Sequence, residues 1–302
     1  MNMMISEFRW RRLKAGDIDG LARACHELQC HFPLLTEGYE EDELYVYLRV
    51  TTMVRSGDEV RQESVLLALG QEILVTLEPA AGLAAFDRGL AALRRKPEFA
   101  GDPRGVLYAL LRAMNTASEQ IVELASNSIE AMNEQIGAIM DGVDDRGREI
   151  GVSDISGAML ELNDSEELVS RIQEGQLLLE RAARYLRLDL ATNGDELRLH
   201  VETLLSDIGS VKERAGFEHD KLRYLQNSVM TSLNVKQNQI VKVFTIITAV
   251  FLPPTLVATF YGMNFAVMPE LAWKHGFAAT IVLTLLSALL PLVYIKQKGW
   301  LR

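Results

Sequence analysis

Tyr261-Gly262-Met263-Asn264-Phe265 is the stretch on which the reading of this chain turns. It closes an uncharged segment at 243–261, and a second uncharged segment, 276–295, follows a short polar connection. Each is about 20 residues, the length a helix needs to cross roughly 30 Å of hydrocarbon. Two spans packed against the C-terminus make this a membrane protein, with 262–275 as the connection between them.

Composition alone points the other way, because 24% charged residues look like those of a soluble protein. The charge is unevenly placed. Of 31 basic and 41 acidic residues, six basic and one acidic fall from Lys236 onward, leaving a net −15 before it. So acidic a region does not suit nucleic acid and would concentrate cations. Lys236 and Lys242 precede the first span, Lys296, Lys298 and Arg302 follow the second, and the connection holds only Lys274. The positive-inside rule places both termini in the cytoplasm. The N-terminus has no apolar run to read as a secretory signal, and two cysteines give no disulfide framework.

The first span carries a polar stripe. Asn238, Val241, Thr245, Thr248, Leu252, Thr255 and Thr259 step by 3, 4, 3, 4, 3 and 4, so one helical face collects most of the hydroxyls of an apolar segment. A threonine in a membrane helix can also satisfy its own i−4 carbonyl, which is the plain alternative. Two spans cannot enclose an ion path, so a pore requires several copies about an axis.

Gly262-Met263-Asn264, with Met268-Pro269-Glu270-Leu271 and Trp273 after it, resembles the CorA family of magnesium channels. The resemblance runs from about residue 234 to 301 and takes in Pro253-Pro254-Thr255 and the final Lys298-x-Trp300-Leu301. It implies an α+β cytoplasmic domain, a small antiparallel sheet with helices, joined by a very long helix to two C-terminal transmembrane helices in a funnel-shaped homopentamer. It implies Mg²⁺ as the ion, transported and regulatory, with Co²⁺ and Ni²⁺ as further candidates. Matched residue by residue, the pore-facing positions fall on Asn238, Val241, Phe244, Thr248, Leu252, Thr255, Thr259 and Asn264, with Phe244 and Leu252 as apolar constrictions able to block ions by dewetting. The selectivity filter falls on Gly262, Met263 and Asn264, and Glu270 in the outer loop would draw cations to the mouth. Mg²⁺ gives up its waters reluctantly, so neutral amide oxygens that accept hydrogen bonds from those waters suit a fast pore better than carboxylates. Regulatory Mg²⁺ would bridge acids of neighbouring cytoplasmic domains, for which Asp207, Asp58 and Glu59 are the candidates, with the acidic run 40–43 beside them. The bland reading of each is a solvated carboxylate. Ala272 stands where the family often has Lys, and the N-terminal part reads as short for the family. The zinc-transporting branch typically has Ile where Met263 stands, which favours magnesium and leaves a Zn²⁺ preference as the alternative.

Before the spans, 17–29 reads as a helix with Asp17 as N-cap, and Phe8 and Trp10 hint at a strand ahead of it. Cys25-His26 and Cys30-His31 invite a metal reading, but their spacing fits no zinc pattern, and buried cysteine is the commoner situation. Strands at 44–54, 64–69 and 73–77 predict a three-stranded antiparallel meander. Helices follow at 83–95, 103–140 and 155–190, and a last one begins near 195 and continues into the membrane. Its apolar stripe, Leu204, Ile208, Val211, Ala215, Leu222, Leu225, Val229, Leu233 and Ile240, says that it packs against something, most simply the core of its own chain.

The resulting division is 1–80 for the α/β part, 81–192 for cytoplasmic helices and 193–242 for a stalk. It continues with spans at 243–261 and 276–295, the outer loop at 262–275 and a basic tail at 296–302. This makes a multi-pass protein of a bacterial inner membrane whose partners are its own copies and the lipid bilayer. Two rival classes fare worse. A membrane-anchored coiled-coil scaffold leaves the threonine stripe unexplained, and no phosphate loop, nucleophile elbow or His/carboxylate metal set points to an enzyme.

Overall fold

A computed structural model describes residues 4–5, 8–32, 39–57, 59–142, 147–190, 195–263, 268 and 273–299. The chain forms two compact units, Met1–Val229 and Met230–Arg302. In chain order the elements are β1 (Met4–Ile5), β2 (Trp10–Lys14), α1 (Ile18–Leu28), β3 (Tyr39–Glu41), β4 (Tyr45–Ser56), β5 (Glu59–Gly70) and β6 (Leu74–Glu78). Then come α2 (Ala84–Arg95), α3 (Pro103–Asp141), α4 (Val152–Asp189), α5 (Asp195–Tyr261) and α6 (Gly276–Gln297), with a 3-10 turn at Pro97–Phe99 between α2 and α3.

The first unit is built on one mixed sheet in the order β1-β2-β6-β5-β4-β3. The expected meander is its centre, β4-β5-β6, but the sheet has six strands rather than three. What local pattern could not supply is the pairing of β2, which lies parallel to β6 with Trp10 opposite Leu74. Strand period decides the two faces. Val46, Leu48, Val50, Val65 and Leu67 point to one side, into a core shared with Phe86, Leu110, Leu111 and Leu186 of α2, α3 and α4. Tyr45, Tyr47, Ala68 and Val75 point to the other, where α1 closes a smaller core around Leu13, Ala24 and Cys30.

Asp17 caps α1 as expected, its Oδ1 accepting from Gly20 N–H at 2.9 Å. Past the end of that helix Cys30 is buried, and burial and then the nearby Cys25 push its thiol up to about 12. His31 instead meets Tyr47 and Asp42, its Nδ1 being 3.4 Å from Asp42 Oδ2. Cys30 and the half-buried Cys25 pack in the smaller core, while His26 is exposed.

Glu78 ties the end of the sheet to α2. Its side chain is fully buried, which would be costly for a lone carboxylate. Arg12 answers it with a two-pronged contact, Nε to Oε1 at 2.7 Å and Nη2 to Oε2 at 2.8 Å, and Leu83 N–H donates to Oε2 at 3.0 Å. Within this unit α5 buries most of the expected stripe against its neighbours: Leu204, Ile208, Val211, Ala215, Leu222, Leu225 and Val229 are inside, whereas Leu233 is half-buried and Ile240 exposed in the second unit. Lys212 Nζ donates to Glu180 Oε2 of α4 at 2.6 Å, and Ser126 Oγ of α3 donates to the buried Glu218 at 2.6 Å.

In the second unit the remainder of α5 and the whole of α6 are long and apolar enough to cross a membrane, with windows of mean hydropathy 2.0 and 2.2. Pro253 and Pro254 lie inside α5 and Pro291 inside α6. The half-buried positions of α6 are Gly276, Ala279, Thr280, Thr284, Ser287, Ala288 and Pro291, small residues that let two helices approach closely.

Candidate ion path

The residues of the hydroxyl stripe, Asn238, Val241, Thr245, Thr248, Leu252, Thr255 and Thr259, are all exposed on α5, Leu252 at 65%, and so is Phe244 at 66%. The half-buried positions of the same segment are Lys242, Ile246, Ala249, Val250, Pro253, Pro254, Val257 and Tyr261. At 3.6 residues per turn these two sets point about 150° apart. One face of this segment is thus set against neighbouring residues of the unit, and the polar face is left uncovered.

The hydroxyls on that face have a definite orientation. Thr245, Thr248, Thr255 and Thr259 each donate to the carbonyl four residues earlier, at 2.8, 2.9, 2.7 and 2.8 Å. Back-bonding of this kind was the plain alternative for the stripe, and it is present. Thr280 and Thr284 do the same on α6, so the bond itself belongs to threonine in an apolar helix. What distinguishes α5 is where its threonines lie: exposed, on one face.

The helix ends at the filter sequence. Gly262 N–H donates to Ala258 O at 3.0 Å and Met263 N–H to Phe260 O at 3.4 Å, a tightening last turn. Gly262 is not among the glycines with positive φ, so here it supplies a bare backbone rather than a left-handed turn. Asn264, Glu270 and Asp58 lie outside the described residues. Glu59 opens β5 opposite Ser56. Asp207 is exposed on α5 and lines a 330 Å³ cavity with Arg112, Asn115, Glu119 and Arg214. A cavity of 620 Å³ is lined by Tyr261, Met268 and Trp273 together with Thr280 and Thr284, beside the segment that joins α5 to α6.

The sequence model described as CorA-like Mg²⁺ transporter protein matches residues 18–297. The chain belongs to that family. The magnesium transport proteins CorA of Escherichia coli K12 and of Salmonella typhimurium LT2 are each 31% identical over 189 residues, 61% of this chain and 60% of theirs. The chain thus spans about three fifths of the curated relatives it matches. Among solved structures, the complete CorA magnesium transporter from Methanocaldococcus jannaschii has a TM-score of 0.71 at 18% identity, covering 96% of this chain and 90% of that one. The full-length CmaX protein reaches 0.61 at 15% identity, covering 96% and 88%. At such identities they establish the CorA fold: a mixed α+β unit, a long helix and C-terminal apolar helices.

What the sequence did not flag is a basic groove on the first unit, lined by Arg88, Arg95, Lys96 and Arg112. These cations belong to α2, its C-terminal end and α3, and their separation along the chain hid them.

Proposed function

We propose that this chain carries Mg²⁺ into the cell through a path enclosed by a homopentamer, the first span facing the path. The observation that carries the proposal is the exposed hydroxyl face of α5 ending at Gly262-Met263-Asn264. Each threonine proton on that face is committed to a backbone carbonyl, so the oxygens look outward as acceptors. Acceptors are what the waters around a cation require. Family membership supports the ion, since the curated relatives are magnesium transport proteins.

In this reading Gly262, Met263 and Asn264 recognise the ion with its waters on, and Phe244 and Leu252 close the path by dewetting. Glu270 draws cations to the mouth, and Co²⁺ and Ni²⁺ are secondary cargo. Both termini face the cytoplasm of a bacterial inner-membrane protein. Regulatory Mg²⁺ is shared between copies through Asp207 and through Asp58 or Glu59. The spans fall at 243–261 and 276–295, with 193–242 as stalk.

Purified Asn264→Ala protein in liposomes tests the filter. Uptake of Mg²⁺ is expected to vanish while native mass spectrometry still finds the pentamer. Asn264→Asp is expected to pass Mg²⁺ slowly, because a ring of carboxylates holds divalent ions too tightly. Wild-type uptake by Asn264→Ala overturns the filter assignment, and a monomer or dimer as the dominant wild-type species overturns the path itself.

A further inference from the structure

The region before Lys236 is strongly acidic, yet one of its grooves is basic. A 320 Å³ groove along α2 and α3 is lined by Arg88, Arg95, Lys96 and Arg112, over an aromatic floor of Phe99 and Tyr108, and no carboxylate lines it. Several cations of the unit find acids: Arg9 pairs with Glu72, Arg12 with Glu78 and Asp87, Arg104 with Asp189 and Lys212 with Glu180. Here Arg88 donates to the neutral Gln120 at 2.9 Å, and Lys96 Nζ sits 5.6 Å from the Phe99 ring. Among the described residues none of the four is paired with a carboxylate.

A second cavity adjoins the groove and shares two of its lining residues. Arg112 and Thr116 also line the 330 Å³ cavity along α3 and α5, which holds Asn115 and Arg214 together with Glu119 and Asp207. Asn115 is 4% exposed, and its buried Oδ1 has no partner. A buried acceptor left unmade costs about 1–3 kcal/mol, so the site calls for a donor.

Four requirements therefore meet in one place. Guanidinium groups without counter-ions favour phosphate, which they can grip two-pronged. An aromatic floor favours a ring. The orphan oxygen favours an N–H or O–H group beyond the phosphates. The size is that of a small-ligand pocket, at the lower end of roughly 300–1,000 Å³. Inorganic phosphate would leave the floor and Asn115 unused, and an acidic chain segment would place carboxylates, acceptors themselves, towards Asn115.

We propose that this groove binds a nucleoside polyphosphate, its phosphates on Arg88, Arg95, Lys96 and Arg112 and its nucleoside reaching past the aromatic floor towards Asn115. The metal-free polyanion binds better than its Mg²⁺ complex, because the metal neutralises charge that the four cations would otherwise meet.

Calorimetric titration of the full-length protein in detergent, freed of divalent metal, with ATP tests this. ATP is expected to bind, and the triple variant R95A/K96A/R112A to bind it more weakly by at least about tenfold, a loss of about 1.4 kcal/mol. The three side chains are exposed, so the variant should keep the wild-type melting temperature. Should it not, single Arg112→Gln replaces it, with a several-fold loss expected. Arg94→Ala, exposed on α2 but outside the groove, should leave binding unchanged. Adenosine should give no heat, pyrophosphate should bind more weakly than ATP, and saturating Mg²⁺ should weaken ATP. No heat with ATP overturns the proposal, whether the groove is empty or covered by a neighbouring copy. So does a triple variant that binds like wild type, adenosine matching ATP, or pyrophosphate matching ATP.

Discussion

The two halves of α5 use the same spacing for opposite ends. In residues 195–229 the three-and-four rhythm collects Leu204, Ile208, Val211, Leu222 and Leu225, and all of them are buried. In residues 230–261 the same rhythm collects Val241, Thr248, Leu252, Thr255 and Thr259, and all of them are exposed. A helical period says which residues share a face. It does not say what covers that face. Composition separates the two halves: the first stripe is purely aliphatic and the second alternates hydroxyls with apolar groups.

The sharpest way to break the comparison is to truncate one residue on each face. Leu222 is fully buried, so Leu222→Ala should destabilise the first unit by about 2–5 kcal/mol, read as a lower melting temperature or denaturant midpoint. Leu252 is 65% exposed, and Leu252→Ala should leave stability within about 0.5 kcal/mol while making liposomes leakier to Mg²⁺. Equal destabilisation by both would mean that the second stripe is core after all.

Next in size is a change that keeps shape and removes oxygen. Thr255→Val should lower Mg²⁺ uptake several-fold in flux assays without moving the melting temperature. Thr245→Ala, beside the pore-facing positions, should be tolerated. Equal losses from the two would dissolve the distinction between positions on the stripe.

The smallest effect concerns the tie from α4 to the buried half. The hydrogen bond from Lys212, ahead of the smaller help from Arg184, holds the Glu180 carboxyl below its ordinary value. A depressed carboxyl stabilises the fold above its unfolded value of about 4.3, and that contribution is lost as pH falls through the lower folded value. Lys212→Met should cost less than about 1 kcal/mol at neutral pH, and its deficit should shrink in denaturant titrations below about pH 4.3.

Much of this was legible in the sequence because it is local. The Asp17 cap, the β4-β5-β6 strands, the long helices and both apolar segments each announce themselves within a few turns of chain. Long-range pairing did not. Trp10 against Leu74 joins residues 64 apart, and no periodicity near either one marks the other. Cys30 is buried, as its setting in the sequence favoured, and His31 turns towards Tyr47. The basic groove went unseen because its cations are scattered between positions 88 and 112. Of the candidate ion path, the face was readable from spacing, while the direction of the hydroxyl protons required the coordinates.

That direction has a consequence for selectivity by sign. On the proposed path, threonines whose protons are turned inward offer no donor to chloride or phosphate, and so disfavour anions without carrying a charge. Between Lys242 and the end of α5 at Tyr261 there is no carboxylate, amine, guanidinium or imidazole. Discrimination built this way neither titrates across physiological pH nor traps the cations it admits.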